Sequence, residues 1–143
     1  MRVTEPVSEA DFEKYYRLRW EILRAPWQQP PGTERAPDDA TAIHAMLLDE
    51  AEQCAGVCRL HFENPEEGQL RFMAIREDLQ KQGLGKLLLH YLEEKARLAG
   101  RKYITLQARE LAVNFYKRHG YQVVKKTHLL FGSIQHYQMQ KYL

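Results

Sequence analysis

Long apolar runs are missing from this 143-residue sequence. No stretch approaches the roughly 18 apolar residues of a membrane-spanning helix, and the opening MRVTEPVSEADFEKYY has no apolar h-region. Neither a signal peptide nor a membrane span is read, no membrane partner is expected, and the cytoplasm is the default location. Charge of one sign is scarce as well: 21 Lys and Arg against 19 Asp and Glu leave a net charge of +2, which makes no electrostatic case for nucleic acid or an anionic surface. Cysteine is limited to Cys54 and Cys58. Strand alternation would put both on one face and His61 on the other, so reduced, buried thiols are expected and no metal is implied. Internal repeats and low-complexity segments are absent too. What remains, 44% hydrophobic and 28% charged residues, suits one globular domain spanning residues 1–143 with a proper core.

Arg2 to Val7 reads as a short strand, stopped by Pro6 and by a helix start in which Ser8 caps and Asp11 holds the capping-box position. Phe12, Tyr15, Tyr16, Trp20 and Leu23 recur at helical spacing. Arg19 lies within that stripe, either snorkelling to solvent or facing a cleft. Residues 25–39, APWQQPPGTERAPDD, carry four of the six prolines and cannot form a regular helix or central strand, which makes them a candidate binding loop, with Trp27 either a substrate contact or a pin that holds the loop on the core. Strands are read over Thr41 to Asp49, Cys54 to Glu63 and Gln69 to Ile75. After them comes an amphipathic helix, with Leu84, Leu87, Leu88, Tyr91, Leu92, Ala96 and Ala99 on one stripe and Lys86, His90, Glu93, Glu94 and Arg97 toward water. Gly100 ends it. A strand over Tyr103 to Gln107, parallel to the one before the helix, a short helix over Leu111 to His119, and two strands around Gly132-Ser133 complete the chain.

The turn Gln80-Lys81-Gln82-Gly83-Leu84-Gly85 joins a strand to a helix N-terminus, where unpaired amides, the helix dipole and small residues favour an anion. A dinucleotide fingerprint fails for want of a third glycine, and a P-loop fails because Leu87 stands where Ser or Thr belongs. The six residues instead resemble the Q/R-x-x-G-x-G/A motif of the GNAT superfamily of N-acetyltransferases. Downstream, Ala112-Val113-Asn114-Phe115-Tyr116-Lys117-Arg118-His119-Gly120-Tyr121 resembles that superfamily's A-x-x-F/L-Y-x-x-x-G-F/Y segment. Leu18-Arg19-Trp20-Glu21-Ile22-Leu23-Arg24 before a proline-rich loop is similar to one subset of it, as are His136 and Met139 in the last strand.

The resemblance implies an α/β fold, a mixed, mostly antiparallel, twisted sheet of six or seven strands flanked by helices. It also implies acetyl-CoA as cofactor and transfer of its acetyl group to a primary amine of a small molecule or peptide, by direct attack in a ternary complex. The backbone of Met73, Ala74 and Ile75 would bind the pantetheine arm and polarise the thioester carbonyl. Amides from Gln80, Lys81, Gln82, Gly83, Leu84, Gly85 and Lys86 would bind the pyrophosphate, with both lysines adding charge. Tyr116 takes the general-acid position. Arg109, read as sharing a helix face with residues 112 and 116, stands where many members place a cofactor-contacting Asn. Arg19, Glu21, Trp27 and His136 are candidates for the acceptor side, and Glu21, His61 and His136 for a general base. Oligomeric state would be monomer or homodimer. Two other readings share these residues: an acyl-CoA-binding sensor without turnover, which would tolerate loss of Tyr116, and a protein-interaction module, which would not need the intact glycine turn.

Overall fold

The computed structural model describes residues 1–143. Helix α1 (Glu9–Leu23) begins at the expected cap: the Asp11 amide donates to the Ser8 hydroxyl, and the Asp11 carboxylate accepts from the Ser8 and Val7 amides, so donors that lack intrahelical partners are satisfied. Seven strands follow the order β1-β2-β3-β4-β5-β7-β6 in one sheet. They are β1 (Arg2–Thr4), β2 (Ile43–Leu48), β3 (Cys54–Phe62), β4 (Glu67–Ile75), β5 (Tyr103–Arg109), β6 (Gln122–Leu130) and β7 (Ile134–Tyr142). Only β4 and β5 are parallel, joined by helix α2 (Gly85–Leu98), so the sheet is mixed and mostly antiparallel as expected. Helix α1 covers one face through Tyr15 and Leu18 against Met46, Val57 and Ala74. Helix α2 and the short α3 (Val113–Arg118) cover the other, where Leu88, Leu92 and Tyr116 meet Leu47, Leu60 and Ile104. No helix is long and apolar enough to cross a membrane.

Three sequence expectations are corrected. Cys54 and Cys58 do not share a face: a bulge skips Ala55 in the pairing of β2 with β3, so Cys58 packs under α2 while Cys54 turns toward α1. Both thiols are free, and burial pushes Cys54 up to about 11 and Cys58 up to about 12. Glu93 does not face water. It is 4% exposed and accepts from the Tyr121 hydroxyl at 2.8 Å and from Lys141 Nζ at 3.1 Å, because those two side chains, one just before β6 and one on β7, reach over that side of α2. Arg109 is the last residue of β5 rather than part of a helix, since the strand runs two residues beyond Gln107 and a 3-10 turn, Glu110–Ala112, intervenes before α3.

The feature that positions the site is a parting of β4 from β5. Their pairing runs from Glu67↔Tyr103 to Leu70↔Leu106 and stops there. On its other edge β4 carries one extra residue between the pairs Val57↔Ala74 and Arg59↔Arg71, and Phe72 adopts φ +61° to absorb it. A left-handed conformation costs a residue with a Cβ about 1–2 kcal/mol, strain of the kind that collects at functional sites. The bulge turns β4 away while β5 stays paired with β7 as far as Arg109↔His136, and the two strands open into a wedge.

Candidate active site

At the wide end of the wedge, β4 hands the chain to the glycine turn. Gln80 Nε2 donates to the Ile75 carbonyl at 2.9 Å, tying the turn to the end of the strand. The amides of Lys81, Gln82, Gly83, Leu84 and Gly85 donate to no group of the chain; the next two, Lys86 and Leu87, close short bonds back to the carbonyls of Gly83 and Leu84. Lys81 at φ +64° and Gly83 at φ +74° alternate with right-handed Leu84, a backbone path that gathers successive amides into an anion-binding concavity. The first turn of α2 has no acidic residue and no side-chain cap, so nothing in the chain competes for that positive end. Gly85 is needed for a separate reason: a Cβ there would stand 3.1 Å from Phe115 Cζ, and its absence lets α2 seat against α3.

Between the parted strands lies a cleft of about 370 Å³. Met73, Ala108, Phe115 and Tyr116 line one part of it, and Arg24, Arg71, Arg109, His128 and His136 another. Tyr116 is held edge-on by Phe115 and Tyr121, with ring centroids at 5.1 and 5.7 Å. Its hydroxyl has no hydrogen-bond partner within the chain, and burial, with Cys58 adding to it, raises its pKa above the ordinary phenol value. The group is therefore a protonated, unpaired donor on a residue that lines the cleft. His136 is 6% exposed and stacks on His128 at 4.4 Å. Its Nδ1 lies 3.0 Å from the Ile134 carbonyl, which can only accept, so Nδ1 carries the proton and Nε2 keeps its lone pair. Burial lowers the His136 pKa, and His128, Arg109 and Arg24 lower it further against the pull of that hydrogen bond. Near neutral pH the imidazole is uncharged.

Behind this cleft, on the α1 side of β3 and β4, sits a buried ionic network. Arg19 and Arg59, both 0% exposed, each donate to Asp39 at 2.8 Å, and Arg59 also pairs with Asp38. The Ala36 amide and the Tyr16 hydroxyl donate to Asp39 as well. Burial alone would raise the Asp39 carboxyl; the Ala36 amide and the two guanidiniums outweigh it and hold it at about 2. Burial keeps His44 neutral, so Nε2–H donates to the Asp39 carbonyl and Nδ1 accepts from Tyr15, which in turn accepts from Arg19. Phe72 lies on this network with Arg19 over its ring at 4.1 Å, so the same pairs that pin the proline-rich segment also brace the bulge.

Of the residues singled out in the sequence, Met73, Tyr116, Arg109 and His136 come together at the cleft, while Ala74 and Ile75 pair with Val57 and Gly56 alongside it. Arg19 is not brought there. With no exposed surface it cannot touch a ligand, and neither expectation for it, a solvated head or a cleft-facing group, describes its place in the network. Glu21 is exposed on the outer side of α1 beside Arg17, and His61 is bonded to Glu63 and Thr41 at the far end of β3; neither lines the cleft. Trp27 stacks on Phe131 at 6.2 Å and carries the Arg109 guanidinium over its ring at 4.6 Å, which makes it a support for a cleft residue. Sequence reading missed Arg71, His128 and Asp39. Arg71 and His128 carried no periodic signal, and the pairing of Asp39 with arginines some 20 residues away on each side is visible only in three dimensions.

Residues 12–121 match the model of the acetyltransferase (GNAT) family. The chain is 27% identical over 141 residues to the uncharacterized N-acetyltransferase YjcF of Bacillus subtilis (strain 168), covering 99% of both sequences. Among solved structures it resembles an aminoglycoside 6′-N-acetyltransferase complexed with coenzyme A, with a TM-score of 0.80, 15% identity, and 99% of this chain and 97% of that one covered. A GNAT family acetyltransferase from Elizabethkingia anophelis with acetyl-CoA bound gives a TM-score of 0.79 at 14% identity, again over 99% and 97% of the two chains. At such identities the structural likeness speaks for the fold alone.

Proposed function

The chain belongs to the acetyltransferase (GNAT) family, and from that premise we propose that residues 1–143 act as one domain that transfers an acetyl group from acetyl-CoA to a primary amine by direct attack in a ternary complex. The observation that carries this reading is the run of five free amides, Lys81 to Gly85, at the mouth of a wedge that contains an unpaired tyrosine hydroxyl. The donor set fits the cofactor: consecutive amides and Lys81 and Lys86 suit a pyrophosphate, and the β4 edge left without a strand partner beyond Leu70 suits an amide-bearing arm. When bound, acetyl-CoA supplies an acetyl group activated as a thioester.

The chain's residues have three tasks. A backbone N–H among Met73, Ala74 and Ile75 polarises the carbonyl where negative charge develops. His136 Nε2 accepts the proton the nitrogen must lose, and Tyr116 gives its proton to the departing sulfur. One C–N bond forms as the C–S bond breaks; of the two protons an ammonium acceptor loses, one ends on sulfur and the other in solvent.

Calorimetric titration with acetyl-CoA tests the cofactor assignment. Saturable binding is expected, and Gly83→Val should weaken it about tenfold or more, since a β-branched residue at φ +74° relaxes at a cost of about 1–2 kcal/mol and turns the amides away. No atom stands within 4 Å of a Cβ at that position, so unchanged affinity could not be blamed on compensating contacts and would remove the turn from the binding site. For the base, kcat/KM should rise with pH through a pKa below the ordinary 6.5 of histidine, because the active form is the neutral one and the shift is downward. His136→Gln should abolish that limb and lower kcat/KM about 100-fold. A limb that survives in the variant belongs to another group.

A further inference from the structure

The cleft carries a charge imbalance that acetyl transfer alone does not require. Arg24, Arg71 and Arg109 line it together with the stacked His128 and His136, and no aspartate or glutamate does. None of the three guanidiniums is in an ion pair. Arg24 donates only to the carbonyls of Thr33 and Leu23, Arg109 only to that of Leu23 at 3.5 Å, and the Arg71 side chain to no group of the chain. They come from three elements, the end of α1, the middle of β4 and the end of β5, yet they converge. Arg24 and Arg109 reach for the same Leu23 oxygen, and Arg24 and Arg71 lie 5.8 and 4.4 Å from the Phe72 ring.

The contrast with Arg19 and Arg59 is informative, since both also lie over Phe72 and both are matched by Asp38 and Asp39. Burial and then repulsion lower the pKa of the unmatched three: Arg71 and Arg19 act on Arg24, Arg24 acts on Arg109, and Arg59 acts on Arg71. As arginines they stay charged. Arg24 and Arg109 are half-buried and Arg71 is exposed, and their mutual repulsion is opposed only by ring and carbonyl contacts and by the more distant Glu34, Asp38 and Asp39, none of which pairs with them. The amide turn is not their counterpart, for none of residues 80–86 lines this cleft.

Resting on the acetyl-transfer reading, we infer that the acceptor is a small amine that also bears an oxyanion, a carboxylate or a phosphate, held by Arg24, Arg71 and Arg109 while its nitrogen faces His136 and Tyr116. Guanidinium forks match both oxyanions, and a site without a carboxylate has nothing to hold a polycation. Arg109 and Arg24 also add to the burial that keeps His136 neutral, and so serve the base.

The test is a panel of amines at saturating acetyl-CoA, read by thiol release: amino acids with a free carboxylate, their carboxamides, phosphoethanolamine, ethanolamine and spermidine. Oxyanion-bearing amines should show kcat/KM at least about tenfold above their neutral counterparts, with the two arms separating carboxylate from phosphate. Arg71→Gln should lower kcat/KM for the preferred acceptor about 10- to 100-fold, chiefly through KM, and erase the preference over the carboxamide. Arg71→Lys should restore part of it. Since Arg71 is exposed and bonded to nothing, its removal should leave folding and acetyl-CoA affinity as they were. Preference for spermidine or neutral amines, turnover with no member of the panel, or a raised acetyl-CoA Kd in Arg71→Gln overturns the inference. Failure of the wild-type protein to bind acetyl-CoA would instead overturn the reading beneath it.

Discussion

Tyr116→Phe is expected to lower kcat about 100-fold, the effect of losing a positioned general acid, while acetyl-CoA affinity and thermal midpoint stay close to wild type. The expectation of unchanged stability is as specific as the kinetic one. A buried tyrosine ordinarily spends its hydroxyl on a hydrogen bond, and deleting that bond costs about 1 kcal/mol. Tyr116 has no such bond to lose, while Phe115 and Tyr121 hold the ring, which phenylalanine retains. Its raised pKa keeps the proton in place across the working pH range. Steady-state kinetics with a calorimetric Kd and a melting curve check all three quantities. A variant with wild-type kcat would take Tyr116 out of the mechanism and favour the sensor reading.

The largest effect on the fold is expected from Asp39→Ala. Asp39 receives both fully buried guanidiniums of the network, and removing it strands Arg19 with no carboxylate partner and leaves Arg59 with Asp38 alone. Breaking a buried pair from one side costs about 3–5 kcal/mol, set against a total of about 5–15 for a domain of this kind. The loss should appear as a lower urea midpoint at pH 7. It should also carry a pH signature. The folded-state carboxyl is depressed from 3.8 to about 2, so its contribution is fully present above the unfolded-state value and is lost as pH falls toward 2. About 2 kcal/mol of the difference between wild type and variant should disappear across that window. A gap that stays constant from pH 5 to about pH 2 would mean that the charge of Asp39 is not what stabilises the network.

Elements set by local rules were legible in the sequence. The Ser8 cap, the β4–turn–α2 unit and the final hairpin each depend on residues adjacent in the chain, and each is observed. What escaped depends on partners far apart. The φ of +61° at Phe72 leaves no sequence mark, because an aromatic residue in a strand gives no sign of a left-handed conformation; yet that bulge opens the wedge. A bulge likewise reverses Cys54, since strict alternation holds only while pairing is regular. Glu93 was assigned to the water face of its helix by periodicity, and only Tyr121 and Lys141, folded back over it, make it a buried acceptor. The arginines tell the same story. Arg19, the one the helical pattern drew attention to, is neutralised in the interior, whereas Arg24, Arg71 and Arg109 meet only because three elements distant in the chain converge on one cleft.

The most direct test of the account is a double measurement on the wild-type protein with acetyl-CoA and an amino acid acceptor: thiol release followed in time, and intact mass of protein and acceptor afterwards. Direct attack in a ternary complex predicts thiol release that needs the amine, an acetyl group on the amine nitrogen, and a protein of unchanged mass. Release without amine, an acetyl group lodged on the protein, or no release with any amine would contradict it.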